Sequence, residues 1–130
     1  MSDAIQPQPP LTSLTSPAPA STIAIDDFAK CDIRIGLVTE AKPVPNSKKL
    51  IQLTVDFGTE IGYRTILTGL LCYYPDTSIF QGKKFLFLVN LAPRKMAGIE
   101  SQGMFLAPDG AERPTLIEVP TDAVIGARLH

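Results

Sequence analysis

The side chains able to do chemistry in this 130-residue chain gather in two short stretches. The longer, "NLAPRKMAGIESQGM", runs from Asn90 to Met104. Pro93 fixes the backbone just before Arg94 and Lys95, and Gly98 and Gly103 permit close backbone approach. Met96 and Met104 supply adaptable apolar surface, while Asn90 and Ser101 can each donate and accept hydrogen bonds. The shorter stretch, "KPVPNSKKL", sets Asn46 and Ser47 ahead of Lys48 and Lys49, with two prolines to stiffen the turn. Cations for a phosphate backbone, joined to polar and apolar groups for exposed bases, are what recognition of single-stranded or looped RNA requires. Residue chemistry alone leaves a second reading open for both stretches, that of ordinary solvated loops.

Catalytic constellations are missing. The one histidine is the last residue, His130, poorly placed to be a held base. "GIESQG" sets Gly98 and Gly103 unevenly about Ser101, so the spacing of a nucleophile elbow fails. No paired carboxylates, phosphate loop or metal-ligand cluster stands out, so neither a metal nor a cofactor is expected and the chain reads as a binding protein, not an enzyme. Cys31 and Cys72 make no metal-ligand spacing and read as small reduced core residues. The net charge of −1 hides an asymmetry: Lys30 to Lys95 holds ten of the twelve Lys and Arg but five of the thirteen Asp and Glu. Attraction to phosphate depends on such local clusters. No basic segment leads into an apolar run at the N-terminus, and no stretch reaches the roughly 18 apolar residues of a membrane span. A soluble, cytoplasmic protein is expected.

Residues 1–22 contain five of the twelve prolines, one charged residue and no aromatic, the composition of a disordered Pro-rich arm. The folded domain is expected over residues 23–130. Asp26 offers an N-cap for a short helix, with Ile25 and Phe28 available to pack. "DIRIGLV" puts Ile33, Ile35 and Leu37 on one strand face and Arg34 on the other. "KLIQLTVDFG" places Ile51, Leu53, Val55 and Phe57 inward. "YRTILTG" is a third strand, Pro75 and Gly82 bracket a short helix, and "KKFLFLVN" is apolar on both faces as a covered strand is. "MFLAP" and "TLIEV" follow as fifth and sixth strands. This order predicts an all-β five-stranded OB-fold barrel with short helices and a C-terminal extension, a β-sandwich being the competitor.

Together "DFAKCDIRIGLV", "VPNSKKLIQLTVDFG", "YRTILTGL" and "FQGKKFLFLVNLAPRKMAGIESQGMFLA" resemble the tRNA-binding domain family. That family includes domains appended to methionyl-tRNA synthetases, endothelial monocyte-activating polypeptide II and its relatives, and small free-standing proteins. The resemblance implies an OB fold, no enzymatic activity and sequence-tolerant recognition of tRNA shape. Its motif falls on Asn90, Arg94, Lys95, Met96, Ser101 and Met104, and on Asn46, Ser47 and Lys49. Lys48, where the family commonly has aspartate, makes the first loop more basic, and Ala97 stands where a basic residue is common. The resemblance also implies a homodimer built on segments flanking the barrel, Ile23 to Phe28 and the tail "IEVPTDAVIGARLH". An aminoacyl-tRNA synthetase assisted in trans is a compatible partner. CsaA-like export chaperones, which bind unfolded polypeptide on the same barrel, are the alternative.

Overall fold

The computed structural model describes residues 18–130, so most of the expected N-terminal arm lies outside the described residues. A short helix, α1 (Ile25–Ala29), precedes three strands: β1 (Ile33–Pro43), β2 (Ile51–Asp56) and β3 (Tyr63–Thr68). A single 3-10 turn (Thr77–Phe80) leads to β4 (Lys84–Leu88). A two-stranded hairpin, β5 (Arg94–Met96) and β6 (Ile99–Ser101), then gives way to β7 (Met104–Phe105). The main sheet is antiparallel in the order β3-β2-β1-β4-β7.

Alternation in β2 does what period two dictates: Ile51, Leu53 and Val55 are buried and the residues between them half-exposed. Phe57, Phe80, Phe85, Phe87 and Phe105 join them in the core. Their rings meet edge-on or tilted, with Phe57 and Phe87 5.4 Å apart and Phe85 and Phe105 5.1 Å apart. The 3-10 turn delivers Phe80 into the barrel as a plug against Tyr74, Phe85 and Phe105. Asp76 caps that turn by accepting the Ser78 N–H at 3.2 Å. Four residues suffice for the task, so the helix expected there is only a turn.

Four further expectations are corrected. In β1 the core face carries Gly36 and Val38, while Ile33, Ile35 and Leu37 are half-buried on the outer face. A Cβ on Gly36 would stand 2.4 Å from Val55 and 2.7 Å from Phe57, so a side chain at this position would displace the core. The chain's end pairs with the edge of β1 that β2 leaves free before Leu37: Gly126 N–H donates to Ile35 O at 2.7 Å, Leu129 N–H donates to Ile33 O at 2.8 Å, and Arg128 bridges Arg34 in antiparallel register. "TLIEV" is not a strand, although Val119 N–H reaches Lys84 O at 3.0 Å. Ala24, not Asp26, is the N-cap of α1. Cys31 and Cys72 are free thiols but exposed, each on a turn outside the core.

The start of β1 is fastened by charge. Arg34 Nε donates to Asp32 Oδ1 at 2.9 Å and Arg128 Nε stands 3.5 Å from the same oxygen. The Arg34 hydrogen bond, reinforced by the charges of Arg34, Arg128 and Arg64, holds the Asp32 carboxyl below its ordinary value of 3.8 against an opposing desolvation effect. A depressed carboxylate stabilises the fold fully above pH 3.8 and loses that contribution as pH falls through its folded-state value. Urea titrations from neutral pH to strong acid should therefore show Asp32→Asn less stable than the parent at neutrality, with the gap closing below pH 3.8. A gap constant with pH would contradict this.

Candidate nucleic-acid interface

Two loops at one end of the barrel carry the expected site residues. In the first, Val44–Ser47 forms a turn closed by Ser47 N–H to Val44 O at 3.2 Å. Pro45 occupies its second position and Asn46 its third at φ 67°, the arrangement of a type II turn, where asparagine tolerates the left-handed region. Ser47 Oγ accepts from Lys49 N at 3.3 Å and Leu50 N at 3.2 Å. Asn46 and Ser47 thus shape the loop, and Lys48 and Lys49 extend from it, exposed.

The second stretch is a hairpin, not an irregular loop. Arg94 pairs with Ser101, Lys95 with Glu100 and Met96 with Ile99. The two-residue turn between them has Ala97 at φ 51° and Gly98 at φ 80°, the double positive φ of a type I′ turn. Period-two alternation separates the adjacent cations: Arg94 and Met96 face a groove together with Ser101, while Lys95 and Glu100 face away. Asn90 sits before the hairpin. Its Oδ1 accepts from Asp32 N at 2.9 Å and its Nδ2 donates to Lys30 O, tying the stretch to the start of β1.

Ser101 is buried, and its hydroxyl is committed. Oγ accepts from Leu67 N at 3.0 Å and donates to Gly103 O at 3.1 Å. Next to it, Gln102 N–H donates to Thr65 O at 2.8 Å and Gln102 Oε1 accepts from Thr65 N at 3.2 Å. These bonds satisfy the free edge of β3 and close the sheet into a barrel. Arg64, which the sequence did not single out, reinforces the seam by donating to Val89 O at 2.6 Å and Gln102 O at 3.2 Å. Nothing in its sequence setting separates it from a solvated strand cation.

Between the two loops lies a groove of about 290 Å³. Leu67 and Phe105 form its floor; Leu50, Leu91, Met96 and Met104 are among its walls, with Arg94 beside them. Its lining contains no carboxylate, and among the described residues no ion pair engages Lys48, Lys49, Arg94 or Lys95. Of the ten expected site residues, then, Asn46, Ser47, Asn90 and Ser101 hold the frame. Lys48, Lys49, Arg94, Lys95, Met96 and Met104 are presented to solvent or to the groove. Among the described residues no three His, Cys, Asp or Glu side chains come together as a metal site, and no helix is long and apolar enough to cross a membrane.

A small antiparallel barrel with a half-apolar, cation-bordered groove between its first and last inter-strand connections belongs to the OB-fold class of binding proteins. Residues 33–128 match the family described as "Putative tRNA binding domain", and the chain belongs to that family. It is 42% identical over 115 residues to a methionine–tRNA ligase of Thermotoga maritima, covering 88% of this chain and 18% of that protein. It therefore spans about a fifth of that relative's length. Among solved structures, a MetRS related protein from Pyrococcus horikoshii superposes with a TM-score of 0.79 at 40% identity, covering 85% of this chain and 100% of that one. A CsaA chaperone protein from Picrophilus torridus gives 0.75 at 25% identity, covering 84% and 100%.

Ser101→Ala should remove the acceptor for the buried Leu67 N–H and lower stability by about 1–3 kcal/mol. Lys95→Ala, on an exposed face, should stay within about 0.5 kcal/mol of the parent. Denaturant unfolding measures both; equal stabilities would show that the barrel does not rely on this hydroxyl.

Proposed function

We propose that this chain is a non-catalytic tRNA-binding protein of the cytoplasm, whose binding face consists of the groove and the cations around it. The observation that carries the reading is an apolar groove with Arg94 and no carboxylate in its lining, between loops that expose Lys48, Lys49 and Lys95; among the described residues no ion pair engages any of the four. Phosphates would meet the cations, and unpaired nucleotides the methionines and leucines. Membership of the tRNA-binding domain family and likeness to a MetRS related protein support tRNA as the nucleic acid, and action beside an aminoacyl-tRNA synthetase in trans as its setting. The framing residues Asn46, Ser47, Asn90 and Ser101 act here by fixing the loops.

Arg94→Ala and Lys95→Ala should each weaken tRNA binding and make the slope of log affinity against log salt shallower by up to roughly one unit. Arg113→Ala is the control, since its guanidinium stacks over Tyr74 at 4.6 Å, outside the groove lining. Cation variants that bind like the parent across a salt series would refute the reading. The CsaA likeness supports a second reading, an export chaperone holding unfolded polypeptide. Competition between tRNA and a reduced, unfolded polypeptide for the purified protein separates the two.

A homodimer completes the proposal. Ile25 and Phe28 of α1 border a depression of about 360 Å³ with Cys31, Leu129 and His130, and Ile23 and Ile25 are 67% and 77% exposed in the single chain. Pairing by two-fold symmetry would remove this apolar surface from water. Sedimentation should give a dimer for the parent and a monomer for Ile25→Glu, with the far-ultraviolet spectrum kept. A monomeric parent at micromolar concentration would refute it.

A further inference from the structure

The groove's shape says more than its charge. Its volume of about 290 Å³ lies just under the roughly 300–1,000 Å³ typical of small-molecule pockets, the scale of a single small ligand. Its floor is closed by the buried Leu67 and Phe105, while Leu91 and Met104 stand 46% and 42% exposed as walls. On the hairpin, only Arg94 of the two cations faces it. One apolar recess beside one guanidinium matches one unstacked base with its adjoining phosphate. Resting on the tRNA-binding reading, we infer that the groove takes a single unpaired nucleobase, held among Met96, Met104, Leu91 and Leu50, with Arg94 on its phosphate.

This assigns the groove to a splayed-out nucleotide, as at a loop or a strand end, and assigns duplex backbone to the cations outside it. A polypeptide side chain would fit the apolar recess as well, but it brings an anion for Arg94 only where an acidic residue adjoins it, whereas every nucleotide in a strand carries a phosphate. Charge complementarity therefore favours the nucleotide. Gly69 provides a way to fill the groove without disturbing the core: it lies in the lining, and a Cβ built there meets nothing within 4 Å.

The test compares the parent, Gly69→Leu and Leu91→Ser for binding to a short unstructured oligoadenylate, a blunt RNA duplex and tRNA, each over a salt series. Thermal unfolding accompanies each variant, and two substitutions on different segments of the lining guard against one that misfolds. Both variants should lose about ten-fold in affinity for oligoadenylate and tRNA, the scale of one lost base contact, with the salt slope and duplex binding unchanged. Variants that match the parent on oligoadenylate, or that lose duplex binding equally, would overturn the inference. So would loss of an unfolded polypeptide with RNA binding retained, which would make the groove a peptide site. A parent that binds tRNA through Arg94 and Lys95 while the groove variants stay silent leaves the tRNA reading intact. A parent that binds no RNA overturns both.

Discussion

Closure of the barrel at the outer edge of β3 is the constraint on which the rest of the molecule depends. An open sheet edge leaves backbone N–H and C=O groups that must find partners. Here the partners come from Ser101 and Gln102, two neighbouring residues that act largely through side-chain atoms where a full strand would use its backbone. Arg64 bonds the carbonyls of Val89 and Gln102, which lie on either side of the hairpin. The segment that closes the barrel thereby also fixes the direction of Arg94 and Met96. A Cβ on Gly103 would stand 2.9 Å from Leu88 O, so close approach at the seam depends on its bare backbone.

This explains why Asn90 to Met104 is so dense in unusual residue types. Polar residues that look like ligand contacts do structural work there, and the cations and apolar groups between them are the side chains left facing solvent or the groove. Ser101 is the plainest case: in sequence it is a free hydroxyl among small residues, and in the fold it is buried with both hydrogen-bonding roles filled. Ala97 is the converse. It accepts a left-handed conformation that usually asks for asparagine or glycine, because a two-residue turn between β5 and β6 leaves no other course.

Strand β2 and the slot of the 3-10 turn were legible because period-two alternation and turn residues are local signals. Strand β4, apolar on both faces in sequence, buries Phe85 and Phe87 but leaves Leu86 and Leu88 half-exposed. The inversion of β1 was not. "IRIGL" reads as an apolar face at Ile33, Ile35 and Leu37, yet the barrel interior required the smallest residue at position 36, so that Val55, Phe57 and Phe87 could meet over it. The chain's last residues then paired with the edge of β1 that β2 leaves free, a long-range event with no local trace. "TLIEV" failed as a strand for a related reason: it runs beside β4 with one backbone hydrogen bond to Lys84, too little for a ladder. For the candidate site, residue types singled out two stretches that the fold brings to one groove, but which side chains point into that groove depended on the register of a hairpin that the sequence did not disclose.

The two ends of residues 25–130 leave the barrel together. Arg128 Nη2 donates to Ala29 O at 2.8 Å, and Leu129 and His130 border the same depression as Ile25 and Phe28. Asn90, bonded to Lys30 O, brings the edge of the groove close to this point. A tether attached at either end would therefore start from nearly the same place and see the groove at nearly the same distance. Its length and stiffness, more than the end it is joined to, would set the local concentration of whatever it carries.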